Sequence, residues 1–550
     1  MKSTVAALVP LALAGTALGA AVPSGKTSSC HDLWTEAPKH LPSLEVYYAN
    51  DVAAGTNFTT PYATPAYPQA VPEVPAFCRF GAYIHTSNSS KVQFEVWLPT
   101  ADQWSGRSAM VGNGGDAGGV NFPDMWAPIA KYGFAVASTD TGHNGTSGDG
   151  TFALNGPETQ IDFGYRAVHL TTVYSKEILK LYYGKKQKTS YWLGCSSGGK
   201  QGLKEVQMFP EDYDGVIAGA AAQWWQHLNA QTYRINALVN PTTSPNHLNA
   251  SDYTVIGAEV YKQCDELDGV KDGVIRNPRK CKPDLSPLLC SAAGANQSTC
   301  LTQGKIDTMH AIWANWTATT RDEFLFYGFE PGAEAAGQVF SVNGIPYGPG
   351  PDYFRYQVLN ATSKGNFVAN ETELERLLAI ADETDPGQTN AWNPNIQKFL
   401  KKGKLLAYVG LADTLIPSGS TIGYYERVRS ALGQPKNFND AYRLFTVPGM
   451  WHCRGGPGAY NFGGPGQRQL SLGGGGQGSS FDSQHDMVLA MIDWVEKGKA
   501  PETIIASSYV GADKRNGTAF ERPLCTYPKE AVYVGGDQNK ASSFECKYVG

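Results

Sequence analysis

The chain has 550 residues, 42% of them hydrophobic and 17% charged, with a formal net charge of -5. That length supports one large domain plus a sizeable addition, each burying its own core. Mild acidity without a basic cluster excludes nucleic acid as a partner, and the lack of an apolar run of about 18 residues excludes a membrane span.

Residues 1–20 have the plan of a secretory signal peptide: Lys2, an apolar run over 5–13, and small residues over 17–21. Ten cysteines, an even number, fit an oxidising compartment. Nine Asn-X-Ser/Thr sequons occur, at Asn57, Asn88, Asn144, Asn249, Asn296, Asn315, Asn360, Asn370 and Asn516. With the signal, they point to a secreted, extracellular glycoprotein.

Residues 21–80 are rich in Pro, Ala and Thr and are expected to wrap the surface. From 81 to 222, strand-like runs (92–98, 108–111, 134–137, 190–193) alternate with helix-like ones (165–183, 200–208). Such alternation implies an α/β fold with a mostly parallel sheet. Residues 223–395 break the rhythm with cysteine pairs, an acidic Gly-rich loop and Pro- and Asn-rich stretches, and read as an inserted lid domain. The α/β rhythm resumes at 404–410, so 21–222 and 396–550 together form the catalytic domain. Residues 455–480 are strongly Gly-rich and read as a long surface loop, and 482–497 as a final amphipathic helix.

The chemistry concentrates at Gly194-Cys195-Ser196-Ser197-Gly198, which fits Gly-X-Ser-X-Gly between a strand and a helix. That is the setting of a nucleophile elbow. A serine hydroxyl needs a base, usually His, oriented by a carboxylate. On an α/β-hydrolase sheet the order is Ser, Asp or Glu, His, each on a loop after a strand. Asp413 follows the apolar run 405–409 and His452 follows 442–447, so Ser196, Asp413 and His452 are the candidate catalytic residues. Cys195 directly precedes the serine and Cys453 directly follows the histidine. A disulfide between them would hold both loops together. The oxyanion hole needs two backbone donors: Ser197 N–H, and one from the Gly-rich turn 112–116, either Gly115 or Asp116.

On these residues, and on the stretches 138–143, 163–169, 191–202, 209–214 and 451–453, the chain resembles a fungal member of the tannase and feruloyl esterase family. The resemblance implies an α/β-hydrolase core with a lid, and serine-dependent hydrolysis of phenolic, hydroxycinnamoyl esters such as feruloyl or p-coumaroyl esters of plant cell-wall polysaccharide. A tannase acting on galloyl esters is the alternative. No organic cofactor is required. Trp224 and Trp225, just past the core boundary, are candidates for the aromatic pocket, with burial in a core the other reading.

Between Cys264 and Cys281 lies an acidic loop in which Asp265, Asp268 and Asp272 supply carboxylates suited to a hard Ca²⁺ ion. The resemblance adds the carbonyls of Val270 and Val274, and the spacing is not that of an EF-hand. The site reads as structural. Besides Cys195–Cys453 and Cys264–Cys281, family likeness and closeness along the chain favour the pairs Cys30–Cys78, Cys290–Cys300 and Cys525–Cys546.

Overall fold

The computed structural model describes residues 27–60, 64–294, 296–319, 322–336, 348–362, 370–467 and 476–549. The signal-like segment 1–20 lies outside the described residues. The apolar runs pair into one sheet of nine strands. In chain order these are β1 (Leu44–Val52), β2 (Phe77–His85), β3 (Lys91–Pro99), β4 (Arg107–Val111), β5 (Ala135–Thr139), β6 (Thr189–Cys195), β7 (Gly215–Gly219), β8 (Lys404–Gly410) and β9 (Tyr442–Val447). Their order in space is β1-β2-β3-β5-β4-β6-β7-β8-β9. The pairings from β1 to β5 are antiparallel and the remaining five are parallel. This is the mostly parallel α/β sheet that the alternation predicts.

The parallel strands are buried almost throughout: β7 at every position, β6 and β8 everywhere but the first. Strands covered on both faces need continuous apolar sequence, which is why these runs stand out. The helices of 11 residues or more among the described residues are, in chain order, α1 (Phe122–Tyr132), α2 (Ala167–Tyr183), α3 (Ser197–Met208), α4 (Trp225–Val239), α5 (Ala250–Cys264), α6 (Gln303–Trp313), α7 (Glu371–Thr384), α8 (Ser418–Ala431) and α9 (Met487–Lys497). Of these α1, α2, α3, α8 and α9 pack on the sheet. The final helix, expected over 482–497, begins five residues later at Met487, because Asp486 caps it by accepting from Val488 and Leu489 N–H.

Two expectations need correction. The segment 21–80 is not only a surface wrap, since it contributes β1 and β2. In β2, Phe77, Cys78, Phe80, Ala82 and Ile84 are fully buried. The strand was obscured by Arg79, a charge at a buried position, which donates Nε to Glu95 Oε2 at 2.8 Å and Nη2 to Oε1 at 2.5 Å. Nor is the Gly-rich stretch 455–480 a surface loop where it is described: Asn461, Phe462, Gln467 and Gln477 are buried. Residues 468–475 lie outside the described residues.

Residues 220–403, between β7 and β8, add no strand to the sheet among the described residues. Helices α4 to α7 lie here around two further apolar clusters, one with Trp225, Tyr353, Phe354 and Leu377, the other with Tyr253, Ile256, Val260 and Ile312. Two antiparallel hairpins follow α9, pairing Thr503–Tyr509 with Thr518–Cys525 and Lys529–Tyr533 with Phe544–Tyr548. Five disulfides form: Cys30–Cys78, Cys195–Cys453, Cys264–Cys281, Cys290–Cys300 and Cys525–Cys546. No helix among the described residues is long and apolar enough to cross a membrane.

Candidate active site

Strand order places the site. From β4 the chain runs through α1 to β5 on one side, then returns through α2 to β6 on the other side of β4. Loops leaving the carboxyl ends of β4 and β6 therefore diverge, opening the crevice where α/β sheets hold their ligands. Ser196 leaves β6 here and the glycine turn 112–115 leaves β4.

Ser196 is held at φ 65° and ψ -126°, a region that L residues rarely occupy. Three bonds over-determine the turn: Ser196 N–H donates to Gly219 O at 2.9 Å, while its carbonyl accepts from Lys200 at 3.0 Å and Ala222 at 3.1 Å. Close packing adds a fourth constraint. A Cβ on Gly112 would lie 2.4 Å from the Gly198 Cα, so only glycine lets the two loops meet.

Asp413 follows β8 and is 1% exposed. Its Oδ1 accepts from Leu415 and Ile416 N–H at 2.8 and 2.9 Å, which fixes the carboxylate. Its Oδ2 lies 2.9 Å from His452 Nδ1. A carboxylate there selects the tautomer with the proton on Nδ1 and leaves Nε2 as the basic nitrogen. The half-buried His452 follows β9, and its neighbour Cys453 is bonded to Cys195 with Cα atoms 6.2 Å apart. The bridge draws Ser196 and His452 to one edge of the sheet across 258 residues of sequence. The buried Gly-rich stretch seals this bridge: a Cβ on Gly466 would come within 2.8 Å of Cys195 Cβ.

The glycine turn sorts the two oxyanion candidates. Gly112 N–H donates to Leu193 O, Asn113 to Gln201 Oε1, Gly114 to Tyr67 Oη, Asp116 to Ser147 O, Ala117 to Gly114 O, Gly118 to Gly145 O and Gly119 to His143 O. Gly115 N–H alone in this run has no acceptor among the described residues. Asp116 is thus corrected: its amide is committed to Ser147 at 3.0 Å and is not free for a substrate oxygen. Ser197 is the first residue of α3, so its N–H has no acceptor within the helix and stands at the positive end of the helix dipole.

Sequence reasoning missed the residues that hold this turn. Gln201, 2% exposed, accepts from Asn113 N–H at 2.9 Å and donates Nε2 to Asn113 Oδ1 at 3.2 Å. Asn113 Nδ2 in turn donates to Gly119 O and Thr139 O. Gln201 lies on the same helix as Ser197, so the two halves of the candidate oxyanion hole are joined by one amide pair. The available signal was a glutamine near the start of the helix, three residues after the Gly-X-Ser-X-Gly motif.

Asp116 has a different place. Its carboxyl is fully buried with no hydrogen-bond partner among the described residues, and burial pushes it up to about 7 against the pull of Lys200. The Lys200 ammonium lies 4.1 Å over the Trp225 ring and 4.3 Å over Phe163, and burial lowers it to about 7. Trp225 is 3% exposed and is part of a core, not of a pocket. Trp224 is half-buried and stacks on Trp392 with centroids 4.4 Å apart.

In the acidic loop, Asp265 accepts from Gly273 at 3.0 Å and Asp272 N–H at 3.3 Å, Asp268 from Val270 and Asp272 from Val274. Arg522 also donates to Asp272. Burial, with the nearby charges of Asp272 and Asp265, raises Asp268 above the usual carboxylate range. Three acidic groups and an all-oxygen donor set, clamped by Cys264–Cys281, fit a hard divalent cation in chemistry. The carboxylate oxygens of Asp265, Asp268 and Asp272 do not all come within 4.8 Å of one another here.

The sheet, the elbow and the Asp413–His452 pair define an α/β-hydrolase. The chain belongs to the tannase and feruloyl esterase family, whose sequence pattern matches residues 78–547. It is 33% identical over 525 residues to a protein named probable feruloyl esterase B-2 of Aspergillus terreus, covering 94% of this chain and 95% of that one. A protein named probable feruloyl esterase B-1 of Aspergillus oryzae is 37% identical over 478 residues, 86% of this chain and 84% of the relative. The crystal structure of feruloyl esterase B from Aspergillus oryzae superposes with a TM-score of 0.85 at 33% identity, covering 94% of this chain and 99% of that one. Tannin acyl hydrolase from Aspergillus niger shares the fold, with a TM-score of 0.71 at 22% identity over 92% of each chain. The protein is a carboxylic ester hydrolase.

Proposed function

We propose that the protein is a secreted serine esterase that cleaves hydroxycinnamoyl esters, with feruloyl and p-coumaroyl groups as acyl donors, through an acyl-enzyme on Ser196. The observation that carries the serine mechanism is the 2.9 Å contact between Asp413 and His452, on a loop tied by Cys453 to the residue before Ser196. His452 Nε2 takes the Ser196 proton as Oγ attacks the ester carbonyl. Gly115 and Ser197 N–H receive the oxyanion. His452 then protonates the leaving alcohol and activates the water that releases the acid, while Asp413 stabilises the imidazolium. The names and similarity of the relatives support the acyl group. Rates on methyl ferulate, methyl p-coumarate, methyl caffeate and methyl gallate test it. The hydroxycinnamates are expected to turn over and gallate to lag; preference for gallate would overturn the substrate and favour a tannase.

Secretion is supported by five disulfides and by the exposure of the asparagine in all nine sequons.

The acidic loop is proposed to hold a structural Ca²⁺ through Asp265, Asp268, Asp272 and the carbonyls of Val270 and Val274. A bound cation neutralises carboxylates that otherwise repel and braces the lid; no catalytic step runs through it. Chelation should therefore lower Tm by about 2–3 °C, as for loss of a ligand present at about 100 times its Kd from a chain of this length. Turnover at 25 °C is expected to hold, and added Ca²⁺ to restore Tm. An unchanged Tm on exhaustive chelation would remove the metal from the account.

A further inference from the structure

The lid carries a cavity of about 450 Å³ whose lining includes none of Ser196, Asp413 and His452. Its lining includes Trp313, Asn315 and Tyr327, the basic side chains of Arg279 and Lys282, and Gly419. Gly419 belongs to α8, a helix of the core, so the cavity spans the seam between lid and core. Glu330, also on the lining, joins the same two parts by accepting from Ser418 Oγ at 2.5 Å. The volume is in the range of small-ligand sites.

Asn315 on this wall is the acceptor of the sequon Asn315-Trp316-Thr317. Strand alternation presents the sequon well. Trp316 is 1% exposed and anchors the segment against Phe326, while Asn315 and Thr317 on either side are exposed. Gly328 N–H donates to Asn315 Oδ1 at 3.1 Å. That bond holds the carboxamide by its oxygen, and Nδ2, the atom that takes the sugar, donates to no described residue. Two residues earlier, the half-buried Trp313 lines the same cavity. N-acetylglucosamine has one face of C–H groups that gains by leaving water against an indole, while its hydroxyls and acetamide need polar partners. Trp313 and Tyr327 offer the first kind of surface, and Arg279 and Lys282 offer donors.

We propose that Asn315 is glycosylated and that the first N-acetylglucosamine units of this glycan occupy the lid cavity, packed on Trp313, bracing the lid against α8. The inference rests on passage through the secretory pathway, as proposed above. It makes this glycan part of the fold, whereas Asn516 stands in an exposed turn, Lys514–Asn516, in which no residue is buried.

The test is to secrete the full chain from a yeast host, map occupancy of every sequon by peptide mass spectrometry, and trim the native protein with an endoglycosidase that leaves one sugar. Asn315 is expected to be occupied and trimmed much more slowly than Asn516. Asn315→Gln should lower Tm by about 2 °C or more, with Asn516→Gln unchanged. In a Trp313→Leu background the Asn315→Gln effect should vanish. An empty Asn315 beside filled sequons overturns the inference and leaves secretion standing, as does an Asn315 glycan trimmed as fast as that on Asn516 with no Tm effect. Absence of glycan from all nine sequons would sink both.

Discussion

Ser196→Ala is expected to reduce ester turnover by a factor on the order of 10⁶, the scale seen when a serine hydrolase loses its nucleophile. The loss should fall on kcat and leave folding intact. The backbone at Ser196 is held by Gly219, Lys200 and Ala222 through main-chain groups alone, so deletion of Oγ removes no bond that shapes the turn. Alanine must adopt the same φ of 65°, a strain serine already bears. Tm should therefore change little, while labelling by a serine-directed phosphonate disappears. His452→Ala should cost nearly as much as Ser196→Ala, because the two act as one unit and their effects do not add. Retention of turnover by Ser196→Ala would move the nucleophile elsewhere and dismantle the assignment of His452 and Asp413 with it.

The legibility of this chain in sequence follows from what each element had to satisfy. Strands buried on both faces, such as β6 and β8, must be apolar along their length, and they stood out at once. β1 and β2 did not. β1 is half-exposed over most of its length, and β2 hides a buried Arg79–Glu95 pair whose partner lies on another strand. The elbow was legible because its glycines answer a local steric demand at Gly198 and Gly112. The choice between Gly115 and Asp116 was not, since it depends on which amide Ser147, 31 positions further along the chain, happens to accept from. Glycine-rich sequence at 455–467 looked like loose surface chain. Gly466 instead permits close approach to the Cys195–Cys453 bridge, a demand made in part by Cys195, distant in sequence.

Removing the Cys195–Cys453 bridge, as Cys195→Ser with Cys453→Ser, should damage stability and catalysis separately. The bridge closes a loop of 258 residues. Chain-entropy arithmetic for a loop of that length gives about 5 kcal/mol of stabilisation through the unfolded state. Against a typical domain stability of about 5–15 kcal/mol, that is a large fraction, so a marked fall in Tm is expected. Catalysis should suffer even at temperatures where the variant remains folded. Ser196 and His452 are each one residue from a bridged sulfur, on loops that leave β6 and β9, which are separated in the sheet by β7 and β8. Apart from the bridge, His452 is oriented by Asp413, and Asp413 is fixed by its own loop rather than by α3. Otherwise the two loops are joined only step by step through the intervening strands, by Ser196 N–H to Gly219 O, Ala220 N–H to Tyr408 O and Ala412 N–H to Met450 O, so the bridge is the most direct restraint on the distance from Nε2 to Oγ among the described residues. A displacement of about 1 Å between such groups costs on the order of 10² in rate, so kcat should fall by about that factor with KM far less affected. Phosphonate labelling of Ser196 should slow in proportion, because it needs the same proton transfer. A bridge that only stabilises predicts a different pattern: lower Tm with kcat at 25 °C intact. That outcome would return Cys195 and Cys453 to the same standing as the other four disulfides.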